Sequence, residues 1–291
     1  MLLFRILFTV ACLFPIGVSS NSPTIVSKFG AIREGQFKYF YDDMIPKPNS
    51  CDHVLFLGVG TAMTINDYDG LAKKIVEAYP LTVIVTDHVP GVFVKSFAGK
   101  FSHFYNEMVP KIQSLVPACA DKENPMIFVS GHSGSGQAII NALDTLNPKP
   151  VGFVGLDPYK INANRMRITI PSLEWGFKKT SCLVRISRAA KLAYKVGEMK
   201  KRIFYRVDNV SQRIAHCVFT DNGCMTFVCG RRGDDEWVRD GVTYSIRAFI
   251  EAVHQNNFEK NRFNLPKSIV RGDYDLFTNH DDPYSWTTSE L

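Results

Sequence analysis

Four short apolar runs recur along the first half of the chain: 53–57, 81–86, 126–129 and 151–156. None alternates with polar residues, so each strand must bury both of its faces. Between them lie stretches of helical periodicity at 68–78, 101–115 and 137–143. Strands of this kind, joined through helices, form a parallel sheet with helices packed on either side. Two alternating segments, 24–29 and 36–41, come first and read as an antiparallel hairpin. The expected fold is therefore α/β: a mostly parallel sheet with helices on both faces and an N-terminal antiparallel hairpin.

The second half is less regular. Residues 168–173 are a candidate strand, the basic stretch after them an inserted helix, and 214–220 reads as the last strand. A final helix is expected over 236–253, where Trp237, Val238, Val242, Ile246, Phe249, Ile250 and Val253 fall at helical spacing. From Asn261 onward the chain is polar and broken by Pro266, Gly272 and Pro283, which predicts a surface or mobile tail. Residues 1–20 carry one charge, Arg5, an apolar run over 6–14, and Val18 and Ser20 at small-residue positions before a cleavage point. That is the pattern of a secretory signal, and the run falls short of the ~20 residues a membrane span needs. The expected organisation is a signal at 1–20, one α/β domain at 21–260 and a tail at 261–291, in a secreted protein or one of the secretory pathway.

Removing Cys12 with the signal leaves Cys51, Cys119, Cys182, Cys217, Cys224 and Cys229, an even set suited to disulfides in an oxidising compartment. Their spacing includes no Cys-x-x-Cys pair, so it is not zinc-like, and it does not fix the pairing. Asn209-Val210-Ser211 is an N-glycosylation sequon. The net charge is +6, with much of the excess between 185 and 202. This basic run is either a solvated helix face or a peripheral contact with an acidic membrane surface. Nucleic acid is not an expected partner, because no binding module is recognisable in an exported chain.

The chemistry concentrates in Gly131-His132-Ser133-Gly134-Ser135-Gly136, directly after the apolar run 126–129. A strand, a tight glycine-flanked turn carrying a serine, and a helix make a nucleophile elbow, which lifts the hydroxyl clear of the sheet edge. A phosphate loop is the rival, but the closing Lys-Ser/Thr is missing. Asp157, at the carboxyl end of the next strand, is the candidate acid, and Glu174, near the tip of the strand after it, is the alternative. Backbone N–H groups of Gly134 and of Val59 or Gly60, in the loop 58–62, are the candidate oxyanion donors.

The base should follow the last strand, in the loop 221–225, where no histidine stands. On a strand over 214–220, at ~3.3 Å per residue, His216 sits at the wrong end of the sheet. His132 is held beside the nucleophile, His53 lies at the opposite edge, and His254 is far along the final helix. His280, in the tail, and His88, after a strand on the correct edge, remain as candidate bases.

Over residues 50–255 the chain resembles the chlorophyllase-type α/β-hydrolases. Gly131-His132-Ser133 matches their elbow, and Gly155-Leu156-Asp157-Pro158 matches their acid motif. Ala215-His216-Cys217-Val218-Phe219-Thr220-Asp221-Asn222-Gly223-Cys224-Met225 follows their late pattern, with Cys224 where the family's catalytic histidine stands. The resemblance implies Ser133 as nucleophile and Asp157 as acid, with no cofactor and no metal. A cysteine is a poor replacement for the imidazole, since a thiol with a pKa near ~8.5 cannot shuttle protons well at neutral pH. Two expectations follow. One is a serine hydrolase acting on a small or lipid-like ester through an acyl-enzyme, with a relocated histidine. The other is a non-catalytic relative that binds a ligand or a protein.

Overall fold

A computed structural model describes residues 22–46, 49–87, 97–159, 161–162, 164–178, 187–208, 216–222, 236–279 and 281. The chain opens with β1 (Ile25–Ile32) and β2 (Gly35–Asp42), an antiparallel hairpin. There follow β3 (His53–Gly58), α1 (Asp69–Ala78), β4 (Thr82–Thr86), α2 (Phe97–Met108) and the single turn α3 (Ile112–Leu115). Next come β5 (Met126–His132), α4 (Gly134–Ala142), β6 (Gly152–Leu156) and β7 (Ser172–Phe177). The last elements are α5 (Ser187–Val196), β8 (Arg202–Asp208), α6 (Glu236–Gln255) and β9 (Asp273–Thr278).

All the strands join one sheet in the order β1-β2-β4-β3-β5-β6-β7-β8-β9. The run from β4 to β8 is parallel, and antiparallel pairs close both ends. This is the α/β architecture read from the apolar runs, and it is consistent with an α/β-hydrolase-like fold. The reason for those runs is visible in the packing. Leu55, Leu57, Val83, Val85, Val154, Leu156, Leu173 and Trp175 face the layer holding α1 and α6. Their alternates, Val54, Phe56, Ile84, Ile127, Val129 and Phe153, face α2 and α4. The two layers leave no polar face on the central strands.

Sequence order reverses at β3, which has β4 on one side and β5 on the other. The loops after β3 and β5 therefore splay apart at the carboxyl edge, the crevice where such sheets gather their ligands.

Four expectations need correction. The strand expected over 168–173 is displaced: Ile168 forms only an isolated bridge to Gly197, and β7 begins after Pro171, at Ser172, and runs on to Phe177. The basic stretch does hold the expected helix, α5, but a strand missed in the sequence begins at its last residue: β8, whose Ile203, Tyr205 and Val207 pack into the core. The segment read as the last strand instead contains a 3-10 turn, His216–Phe219. Finally, the polar tail supplies β9, paired antiparallel to β8 in register Tyr205 to Leu276. Arg202 of the basic run is buried, and its guanidinium bonds the carbonyls of Asn279, Tyr194 and Lys195. Cys51 and Cys119 form a disulfide, and Cys217 is also disulfide-bonded. No helix among the described residues is long and apolar enough to cross a membrane.

Candidate active site

The strand–helix junction at the end of β5 is tight enough to strain its backbone. Ser133 has φ 54° and ψ −121°, outside the regions open to ordinary L-residues. Such a conformation costs about 1–3 kcal/mol and persists only where its surroundings enforce it. They do so here: a Cβ on Gly131 would lie 2.5 Å from the Gly136 nitrogen, so only glycine lets strand and helix meet. The Ser133 N–H bonds the Leu156 carbonyl at 3.1 Å, and the Ser133 carbonyl accepts from Tyr159 N–H at 2.9 Å. Both bonds tie the elbow to the end of β6.

Ser135 stands at the last position of the general Gly-x-Ser-x-Gly elbow pattern, where glycine is usual. Its hydroxyl bonds the carbonyl of Val59, joining the elbow helix to the loop after β3. Its Cβ falls where a side chain on Gly58 would be, at 2.9 Å, so the glycine has in effect moved to the facing strand.

Asp157 leaves β6 with φ 46° and is completely buried. Its Oδ2 lies 2.6 Å from Nδ1 of His216, itself 4 % exposed. This partner is the histidine that the strand reading set aside. The end of β8 lies before it, and the 3-10 turn from His216 folds it over the carboxyl edge. The turn is closed by Thr220, whose N–H and hydroxyl both bond the Cys217 carbonyl. Asp221 then clamps the segment: its Oδ2 accepts from Gly70 N–H at 2.7 Å in the first turn of α1, and its Oδ1 from Arg239 of α6 at 2.8 Å. A carboxylate is favoured at a helix N-terminus, and the Arg239 Nε also bonds the Val218 carbonyl at 2.8 Å.

The His132 side chain sits between Tyr68, at the start of α1, and the His216 turn. Its Nε2 lies 3.0 Å from the His216 carbonyl and its Nδ1 2.6 Å from the Tyr68 hydroxyl. Burial holds its imidazole well below the ordinary histidine value, with His216 nearby acting in the same direction, so it is neutral.

The oxyanion expectation needs correction at the loop after β3. The Val59 N–H is engaged by the Thr86 carbonyl at 3.1 Å and the Gly60 N–H by the Tyr68 hydroxyl at 2.7 Å, so neither is offered to a ligand. Gly134 opens α4, where the first N–H groups have no intrahelical acceptor. Glu174 is not at a strand tip. It sits in mid-β7, opposite Gly155, fully buried and unbonded at both oxygens, and burial raises its carboxyl well above the ordinary value. It does not bond a histidine, so Asp157 is the acid the geometry brings to one.

His88, His280, Cys224 and the sequon asparagine Asn209 lie outside the described residues. Among the described residues no cluster of three metal-ligating side chains occurs. The missed residue, His216, had a signal: the run Ile203-Phe204-Tyr205-Arg206-Val207 is a strand, and it places His216 after the last parallel strand rather than within one. Compared with known proteins, the chain matches no family model and no curated protein sequence.

Proposed function

We propose that the protein is a serine hydrolase of carboxylic esters, with Ser133 as nucleophile, His216 as base and Asp157 as the acid that orients it. The observation that carries this reading is the 2.6 Å contact between His216 Nδ1 and the buried Asp157, at the sheet edge where Ser133 is held strained. Asp157 accepts from Nδ1–H and so fixes the tautomer with Nε2 unprotonated. Nε2 takes the proton as the Ser133 oxygen attacks the ester carbonyl carbon. The Gly134 N–H faces the oxygen that becomes negative. Collapse of the tetrahedral species breaks the bond to the alcohol, which leaves with the proton from His216. Water then repeats the sequence on the acyl-serine and releases the acid. A small or lipid-like ester is the substrate class, and the chemistry calls for no cofactor.

A fluorophosphonate probe and an activated aryl ester test this. Ser133→Ala should abolish labelling while keeping its melting temperature. His216→Ala should lower turnover by at least about a thousandfold, as triad members act as a unit. His280→Ala, His88→Ala and Cys224→His should leave the rate near that of the natural chain. Loss of activity in His280→Ala with retention in His216→Ala would overturn the assignment. The engaged N–H groups of Val59 and Gly60 favour a second reading, a ligand-binding relative without turnover. A folded natural protein that neither labels nor turns over ester would leave that reading standing.

A further inference from the structure

The elbow histidine and Tyr68 are not used by the chemistry just described, yet they join the loop after β3 to the turn that carries the proposed base. The His216 carbonyl can only accept, so the His132 Nε2 3.0 Å away must carry the ring proton. That leaves the His132 Nδ1 as an acceptor, and the Tyr68 hydroxyl 2.6 Å away donates to it. The same hydroxyl oxygen accepts the Gly60 N–H at 2.7 Å. The chain of donors therefore has one direction: Gly60 to Tyr68 to His132 to the His216 backbone. Tyr68 and His132 have no solvent exposure and His216 is 4 % exposed, so water cannot replace a lost link. The His132 ring also lies against His216, with centroids 4.5 Å apart, and against Phe219 at 5.3 Å. A side chain on Gly60 would meet the His132 Nδ1 at 2.8 Å, so the loop rests directly on the ring.

We propose that Tyr68 and His132 are positioning residues that lock the loop after β3 and the His216 turn into one unit. The inference rests on the reading of His216 as the base. Its structural core is a coupling between residues 58–62 and 216–219 that runs through one hydroxyl and one imidazole. Asp157 fixes the His216 ring from one side; His132 fixes its backbone from the other. The loop after β3 is thereby held in register with the base.

Two measurements test this on the full chain. Hydrogen exchange by mass spectrometry reads the coupling itself, independently of activity. In Tyr68→Phe, exchange over 216–219 should rise several-fold although the Tyr68 hydroxyl bonds neither His216 nor its neighbours in that turn. Unchanged exchange over 216–219 in a folded Tyr68→Phe protein would overturn the proposal, whatever the enzyme does. Ester kinetics read the consequence. Tyr68→Phe should lower kcat about tenfold, the effect of one lost buried hydrogen bond, with KM nearly constant. His132→Gln retains a donor and an acceptor and should keep most of the rate, whereas His132→Leu should lose it. Combining Tyr68→Phe with His132→Leu should cost no more than His132→Leu alone, since both break one chain. Additive losses would mean that the residues act separately. An inactive natural protein whose exchange is nonetheless coupled would defeat the hydrolase reading and leave the coupling intact.

Discussion

At the scale of single residues, Glu174 is the group most at odds with its surroundings. Gly155 opposite it has no side chain, and any Cβ there would overlap the carboxyl group, so the pair is matched by shape but not by hydrogen bonding. Burial raises the folded-state pKa well above the ordinary 4.5. In the unfolded chain the carboxyl ionises near that value, so the folded protein holds the proton longer. Stability from this group is complete below 4.5 and drains away as the pH rises toward the folded value. Glu174→Gln cannot ionise. It should therefore flatten the dependence of melting temperature on pH between 5 and 8, with its gain over the natural chain growing at the alkaline end. At about 2–4 °C per kcal/mol, thermal melts resolve that difference. A natural chain and a Gln variant with parallel pH profiles would show that Glu174 finds a partner. If ester turnover also survived in Glu174→Gln, Asp157 would be left as the only acid required.

At the scale of elements, the sheet's far edge depends on β9. Its Asp275 bonds the Arg206 guanidinium, through Nε at 2.8 Å, and Phe277 stacks on Phe204 at 5.8 Å. Without β9, the backbone of β8 would present an open row of donors and acceptors beside a hydrophobic face. A chain ending at Gly272 should fold its parallel core and aggregate, and light scattering should report particles where the complete chain gives none. A monodisperse truncated chain would show that β8 tolerates an open edge. This strand is also where the sequence was least legible. The central strands could be read because both faces are buried, so composition alone marks them. In β8, Arg202 and Arg206 interrupt the apolar pattern and hid it among basic neighbours; in β9, an edge position allows Asp273 and Asp275 to point outward. One missed strand displaced the count of sheet ends, and with it the position of the proposed base. Ser133 and Asp157 were legible because each follows a doubly buried strand. His216 was not, because it sits on a short turn that Asp221 anchors to Gly70 and Arg239, partners distant in sequence.

At the scale of the whole molecule, the Cys51–Cys119 disulfide joins turns separated by 68 residues, including β3, β4 and α2. Closing a loop of that length in the unfolded chain is worth about 4 kcal/mol on the chain-entropy account. Replacing both cysteines by serine should lower the melting temperature by about 10 °C while leaving Ser133 labelling intact at room temperature. An unchanged melt would place the stabilisation elsewhere. The order of the strands also fixes an order of manufacture. β8 leaves the ribosome before α6 and well before β9, yet β9 is its neighbour in the sheet. While α6 is being made, the nascent sheet carries a naked margin, closed only when a later segment returns to it. Anything that slows translation between α6 and β9 lengthens that interval. Codon choice in this stretch should therefore affect the yield of soluble protein more than the same change between β3 and β4, whose pairing is completed as soon as both have emerged.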